Sequence, residues 1–149
     1  MIIKEVETKE ELQKCDKFLN ELIKDEKRYN DNINTGNKID GYYEKVINDN
    51  NKLFVAVDTN ILGYVFVKIN DPVKNGELYK EAFIDALYVD KEYRNKGVAT
   101  SLIEKAKEYA KNMGAKKISI SVISLNEEAL KLYYKVGFKD FSFRLKQDL

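Results

Sequence analysis

The segment with the most chemical content is Arg94-Asn95-Lys96-Gly97-Val98-Ala99-Thr100. It leads from a strand-like stretch into the most regular apolar stripe of the chain. Backbone N–H groups at a helix start have no partner inside the helix and carry partial positive charge, so such a start binds phosphate. Gly97 lets an anion approach the backbone, Ala99 keeps the first turn slim, and Arg94 and Lys96 add cationic reach. An ordinary strand–helix turn with one glycine reads equally well. Neither G-x-x-x-x-G-K-[ST] nor G-x-G-x-x-G occurs in the chain. The second segment is Asn126-x-x-Ala129-x-x-Leu132-Tyr133-x-x-x-Gly137-Phe138. By pattern alone it is a capped helix with a glycine stop and an aromatic anchor, and the plain reading of Tyr133 is a half-buried core aromatic.

The elements that must position these residues follow from periodicity. Residues 2–6 read as a strand. Thr8 followed by Glu11 is a capping-box pair, and Leu12, Cys15, Phe18, Leu19, Leu22 and Ile23 recur at helical spacing. Residues 24–40 are polar and Asn-rich, a loop; Tyr42, Tyr43, Val46 and Ile47 suggest a short helix. Leu53 to Val57 and Ile61 to Ile69 form a hairpin about Asp58-Thr59-Asn60. Asp71-Pro72 and Asn75-Gly76 mark a turn before a strand over about 80–89. Val98 to Met113 is a helix stopped by Gly114. Ile118, Ile120 and Val122 alternate as a strand, Asn126 caps the helix ending at Gly137, and a last strand is expected over 138–146. The order β-α-α-β-β-β-α-β-α-β implies a single α/β (α+β) domain over 1–149, with a mixed, mostly antiparallel sheet flanked by helices.

Composition narrows the chemistry. The chain has no histidine, which removes Ser-His-Asp and Cys-His catalysis and His-based zinc sites. Proton transfer must then use Asp, Glu, Lys, Tyr or water. The one cysteine, Cys15, cannot form an intrachain disulfide and reads as a small core residue. No apolar run approaches a membrane span of about 20 residues, and with no signal-peptide pattern the cytoplasm is the expected location. A net charge of +1 argues against a nucleic-acid binder. The sign is uneven, however. Residues 1–90 hold 13 Lys+Arg against 18 Asp+Glu (net −5), and residues 91–149 hold 13 against 7 (net +6).

Together the two segments resemble the GNAT superfamily of N-acetyltransferases, in its compact bacterial form. Arg94, Gly97 and Ala99 meet that family's Q/R-x-x-G-x-G/A signature, and Asn126 to Phe138 meets N-x-x-A-x-x-[LF]-Y-x-x-x-G-F throughout. The resemblance implies acetyl transfer from acetyl-CoA to a primary amine of a small molecule or peptide, by direct attack in a ternary complex and without a metal. It implies a pantetheine arm paired with the backbone of Leu87 and Val89, a pyrophosphate on residues 94–100, and Asn126 helping to hold the arm. It makes Tyr133 the general acid and Asp85 a base acting through water, with Glu81 a weaker candidate. Tyr88, which alternates away from Asp85, reads as core. The acidic residues of the acceptor-side half, among them Asp25, Glu26, Asp31, Asp40, Glu77, Glu81 and Asp85, point to a cationic acceptor. A non-catalytic coenzyme A sensor or scaffold is the alternative. The resemblance departs at the tail, where residues 139–149 have room for one strand instead of the family's usual pair, which leaves homodimerisation open.

Overall fold

The computed structural model describes residues 1–149. A five-stranded sheet in sequence order forms the middle layer: β1 (Ile2–Glu5), β2 (Asn51–Val57), β3 (Ile61–Ile69), β4 (Glu81–Val89) and β5 (Lys117–Ile120). The first three junctions are antiparallel and β4–β5 is parallel, so the sheet is mixed and mostly antiparallel, as expected. One face carries α1 (Lys9–Glu26) and α2 (Tyr42–Val46); the other carries α4 (Val98–Asn112) and α5 (Glu127–Lys135). A single turn, α3 (Pro72–Asn75), sits between β3 and β4, where Asp71 caps it and Pro72 takes the first helical position.

Each face has its own apolar core. Cys15 and Phe18 of α1 meet Tyr43, Leu53, Val55, Tyr64, Phe66, Ala86 and Tyr88 on one side. Val98, Leu102, Ile103, Ala106 and Ala110 of α4 meet Phe54, Ala56, Val65, Val67, Ala82 and Ile84 on the other. Close packing of β3 on β4 needs Gly63, because a Cβ there would lie 2.5 Å from the Tyr88 carbonyl oxygen.

A bulge in β4 lets one strand serve both cores. Val67 pairs with Ile84 and Phe66 with Ala86, so Asp85 is the extra residue. Ala82 and Ile84 therefore face α4, whereas Ala86 and Tyr88 face α1. Simple alternation puts Tyr88 opposite Asp85. The bulge corrects this and returns Tyr88 to the α1 side, where Asp85 also meets Lys68; Tyr88 is nonetheless buried, as expected of a core residue.

The start of α1 is fixed by the expected capping box. The Thr8 hydroxyl accepts from Glu11 N–H, and the Glu11 carboxylate accepts from Glu7 and Thr8 N–H and pairs with Lys4 at 2.7 Å. Burial pushes the Glu11 carboxyl up, but Lys4 and the two N–H donors outweigh it and hold the group at about 2. Because the folded value lies below the ordinary 4.5, the stability lent by this carboxylate is complete above that pH and is lost as pH falls toward 2. Glu11→Gln should therefore cost about 1–2 kcal/mol at neutral pH. Urea melts at a series of pH values should show the gap to wild type closing between about 4.5 and 2.

The expected last strand is not formed. Residues 138–149 pair with no strand, and Phe141, Phe143 and Leu145 are 94%, 81% and 91% exposed. Their alternation reads as a strand, but an isolated strand needs a neighbour for its backbone, and here the sheet ends at β5.

Candidate active site

The sheet opens where β4 leaves β5. Pairing runs only from Glu81–Lys117 to Ile84–Ile120, so Asp85 to Val89 has no partner on that side. Asp90 N–H donates to the Leu62 carbonyl, and alternation then turns the amides of Leu87 and Val89 away from β3, toward the opening. Leu87 is half-buried and Val89 buried. The Val89 carbonyl accepts from Arg94 Nε at 2.8 Å, which leaves its N–H facing the gap.

At the mouth of the opening stands the start of α4. Asn95 and Gly97 adopt left-handed φ values of 62° and 81°, and no side chain caps the helix. The N–H groups of Asn95, Lys96, Gly97, Val98, Ala99 and Thr100 donate to no protein acceptor; the first to do so is Ser101, to the Gly97 carbonyl. Successive unpaired N–H groups of this kind form an anion-binding concavity. A Cβ on Gly97 would project into open space. Val98 is buried under the sheet, while Asn95, Lys96 and Gly97 are exposed.

Arg94 is engaged elsewhere than at this concavity. Besides its bond to Val89, its Nη2 donates to Asp25 Oδ2 at 3.1 Å, and the guanidinium lies 5.2 Å from the Tyr88 ring. Asp25 is also 3.6 Å from Lys91 Nζ, so this carboxylate is shared by two cations.

Asn126 is the N-cap of α5, where its Oδ1 accepts from Ala129 N–H at 3.2 Å. Its side-chain NH2 keeps both donors. Six residues on, Leu132 and Tyr133 lean against the α4-side core, and the Tyr133 ring meets Phe138 edge-on with centroids 6.0 Å apart. Lys107 anchors the helix end by donating to the Val136 carbonyl at 2.7 Å. Burial, with a smaller push from the Glu26 carboxylate, raises the Tyr133 phenol to about 12. Burial also raises Glu26 above the ordinary carboxylate value. So the carboxylate felt by Tyr133 comes from the last residue of α1, which the motifs did not single out. Asp85 lies on the α1 side of the split, partly exposed, 3.6 Å from Lys68 Nζ. Glu81 precedes the bulge and shares that face. No group of three or more His, Cys, Asp or Glu side chains is arranged to hold a metal ion. No helix is long and apolar enough to cross a membrane.

Residues 15–138 match the Acetyltransferase (GNAT) family. The chain belongs to the GNAT acetyltransferase family. Among curated proteins, this family member is 32% identical over 101 residues to an uncharacterized N-acetyltransferase of Methanocaldococcus jannaschii, covering 68% of this chain and 40% of that protein. It is 35% identical over 92 residues to an N-alpha-acetyltransferase of Saccharolobus solfataricus, covering 58% and 55%. The chain thus spans about half the length of the curated relatives it matches. In fold, the GNAT chain is similar to a mutant Bacillus halodurans protein, with TM-score 0.88, 18% identity and coverage of 100% and 99%. It is also similar to an aminoglycoside antibiotic 6'-N-acetyltransferase of Acinetobacter haemolyticus, with TM-score 0.74, 16% identity and coverage of 100% and 98%.

Proposed function

We propose that this protein transfers the acetyl group of acetyl-CoA to a primary amine of a small molecule or peptide, by direct attack in a ternary complex. The observation that carries the reading is the split of β4 from β5 with the unpaired N–H run of residues 95–100 at its mouth. The split is a strand-shaped slot with free amides, suited to an arm of alternating amide groups. The N–H run suits a diphosphate, with Lys96 as a nearby cation. Acetyl-CoA, when bound, supplies an activated thioester carbonyl.

The residues divide the remaining work. Leu87 and Val89 orient the arm through their outward amides, and an N–H there donates to the carbonyl oxygen as it gains charge. Asn126 adds a side-chain N–H donor. On the acceptor side an ammonium must lose a proton before its nitrogen can attack, and Asp85 receives it through water. The C–N bond forms, the C–S bond breaks, the Tyr133 hydroxyl delivers its proton to the departing sulfur, and the remaining proton that the attacking nitrogen must shed returns Tyr133 to its neutral form through water. A turnover assay with thiol detection, run on a panel of amines, tests the reading; coenzyme A affinity with no thiol release from any amine would leave only a binding module.

Asp85→Asn should depress kcat/KM near neutral pH and be partly rescued at high pH, where more of the acceptor is already neutral. Steady-state pH profiles check this, and a uniform loss across pH would make Asp85 a binding group instead.

The acceptor is a cation in this reading. Asp25 is already paired with Arg94 and Lys91, and Asp85 with Lys68, but Glu26 remains at the end of α1, Glu81 on the Asp85 face of β4, and Asp31 and Asp40 on the loop beyond α1. Such a field draws in a polyamine, an aminoglycoside-like amine or a Lys-bearing peptide. The acceptor KM should rise between low salt and about 0.3 M salt as screening shortens the field. The double variant Glu26→Gln/Glu81→Gln should raise it further with kcat nearly unchanged. A panel in which only neutral or acidic amines turn over would end this assignment.

A further inference from the structure

Arg94 opens the phosphate-binding signature, yet its side chain is committed away from the N–H run. Nε and Nη2, two nitrogens on one edge of the guanidinium, donate to the Val89 carbonyl at 2.8 Å and to Asp25 at 3.1 Å. The ring of Tyr88 flanks the group. A planar fork held by two acceptors and an aromatic face has one orientation. The diphosphate, meanwhile, has the N–H groups of residues 95–100 without it.

What Arg94 does reach is α1. Asp25 is in the last turn of that helix, one residue before Glu26, and the chain leaves there for the 27–41 stretch that leads to α2. The far end of that stretch is clamped independently. Asp16, buried in α1, accepts from Gly41 and Tyr43 N–H, and Asn20 exchanges two hydrogen bonds with Ile39. The near end has no such clamp apart from the Asp25 pair, since the backbone bonds of Arg28, Tyr29 and Asn30 return to Asp25 and Glu26 themselves. Arg94 therefore joins the end of the open edge of β4 to the last turn of α1, from which the 27–41 loop departs.

We infer that Arg94 and Asp25 are a positioning pair for the acceptor side of the split, and that Arg94 is not a ligand of the diphosphate. The inference rests on the acetyl-transfer reading for the identity of the two sides. By fixing the last turn of α1, the pair sets where Glu26 stands relative to Tyr133 and where the 27–41 loop begins. It also closes the β4 edge at the Val89 carbonyl, so that an arm pairing with Leu87 and the Val89 N–H must turn there toward the N–H run.

The test uses the full chain with Arg94→Met, Arg94→Lys and Asp25→Asn. Calorimetry gives the Kd of coenzyme A and of pantetheine, and their ratio reports what the nucleotide and its phosphates contribute. Amide hydrogen exchange reports the order of residues 24–41. In Arg94→Met and Asp25→Asn the ratio should stay within about twofold of wild type while exchange over 24–31 speeds by roughly tenfold and that over 39–43 holds. Arg94→Lys, which keeps the charge but not the fork, should behave like Arg94→Met. A ratio that falls tenfold or more in Arg94→Met, with Arg94→Lys near wild type, would make Arg94 a phosphate ligand and overturn the inference. Unchanged exchange over 24–31 would do the same. A wild-type protein without affinity for coenzyme A would defeat the acetyl-transfer reading instead, and the exchange data would still judge the pair.

Discussion

Tyr133→Phe lowers kcat by roughly 10²- to 10⁴-fold, the span of a lost general acid, and leaves the Kd of coenzyme A within about twofold. The substitution removes one oxygen and keeps the ring that packs on Phe138 and the α4-side core, so melting curves should nearly coincide. The pH profile gives a sharper check. With its phenol at about 12, Tyr133 holds its proton throughout any practical assay range. The basic limb of the wild-type kcat profile therefore contains no titration of Tyr133 below about pH 11. Handing the proton to a solvated thiolate, whose conjugate acid titrates near 8.5, would run uphill by about 5 kcal/mol. The transfer is feasible only if the sulfur leaves within the same dry surroundings, which raise its own basicity and narrow that gap. A variant that opens the Tyr133 environment to water should thus slow the step even with the hydroxyl retained. Wild-type turnover in Tyr133→Phe would reduce the residue to a core aromatic.

Gly97→Val abolishes measurable coenzyme A affinity, a loss expected to exceed roughly a hundredfold. Two effects combine. The new side chain enters open space at the start of α4, where the proposed diphosphate sits, and a branched residue at φ 81° is strained. Gly114, at the other end of the same helix, separates the two. Its φ is 84°, and a Cβ there also meets nothing. Gly114→Val should lose similar stability, on the order of 1–3 kcal/mol, and keep coenzyme A affinity. Equal losses of affinity in the two variants would mean that helix strain, and not an occupied anion site, explains the first.

The elements that position the site were legible because their signals are local. The capping box at Thr8 and Glu11, the asparagine cap at 126, the glycine after α4 and the apolar stripe from Val98 are each written within a few residues. The Arg94–Thr100 segment likewise marked a helix start, and its N–H groups before Ser101 have no protein acceptor. What was not legible depends on partners distant in sequence. Arg94 meets Asp25 across 69 positions, and nothing near either residue announces the pairing. Glu26 comes to act on Tyr133 only because α1 ends beside the split. The bulge at Asp85 is a mismatch between two strands and has no mark in β4 itself, where strict alternation would keep Tyr88 away from Asp85. The tail from 138 misled for the opposite reason. Its alternation is local and clear, but a strand also requires an edge to pair with.

That one surplus residue in β4 makes the strand's length part of its meaning. Up to Ile84 the even-numbered side chains point toward α4; beyond Asp85 they point toward α1. Were β4 to run smoothly through Asp85 with its residue count unchanged, Ala86 through Val89 would turn inside out, with Tyr88 driven among the aliphatic side chains beneath α4 and Leu87 into the aromatic layer beneath α1. Each residue would keep its identity and lose its address. The amides of Leu87 and Val89 would rotate with them, toward β3, and the open slot would present those of Tyr88 in their place. In this strand, then, counting is a form of recognition: the shape offered to a ligand is stored in the number of residues as much as in their chemistry.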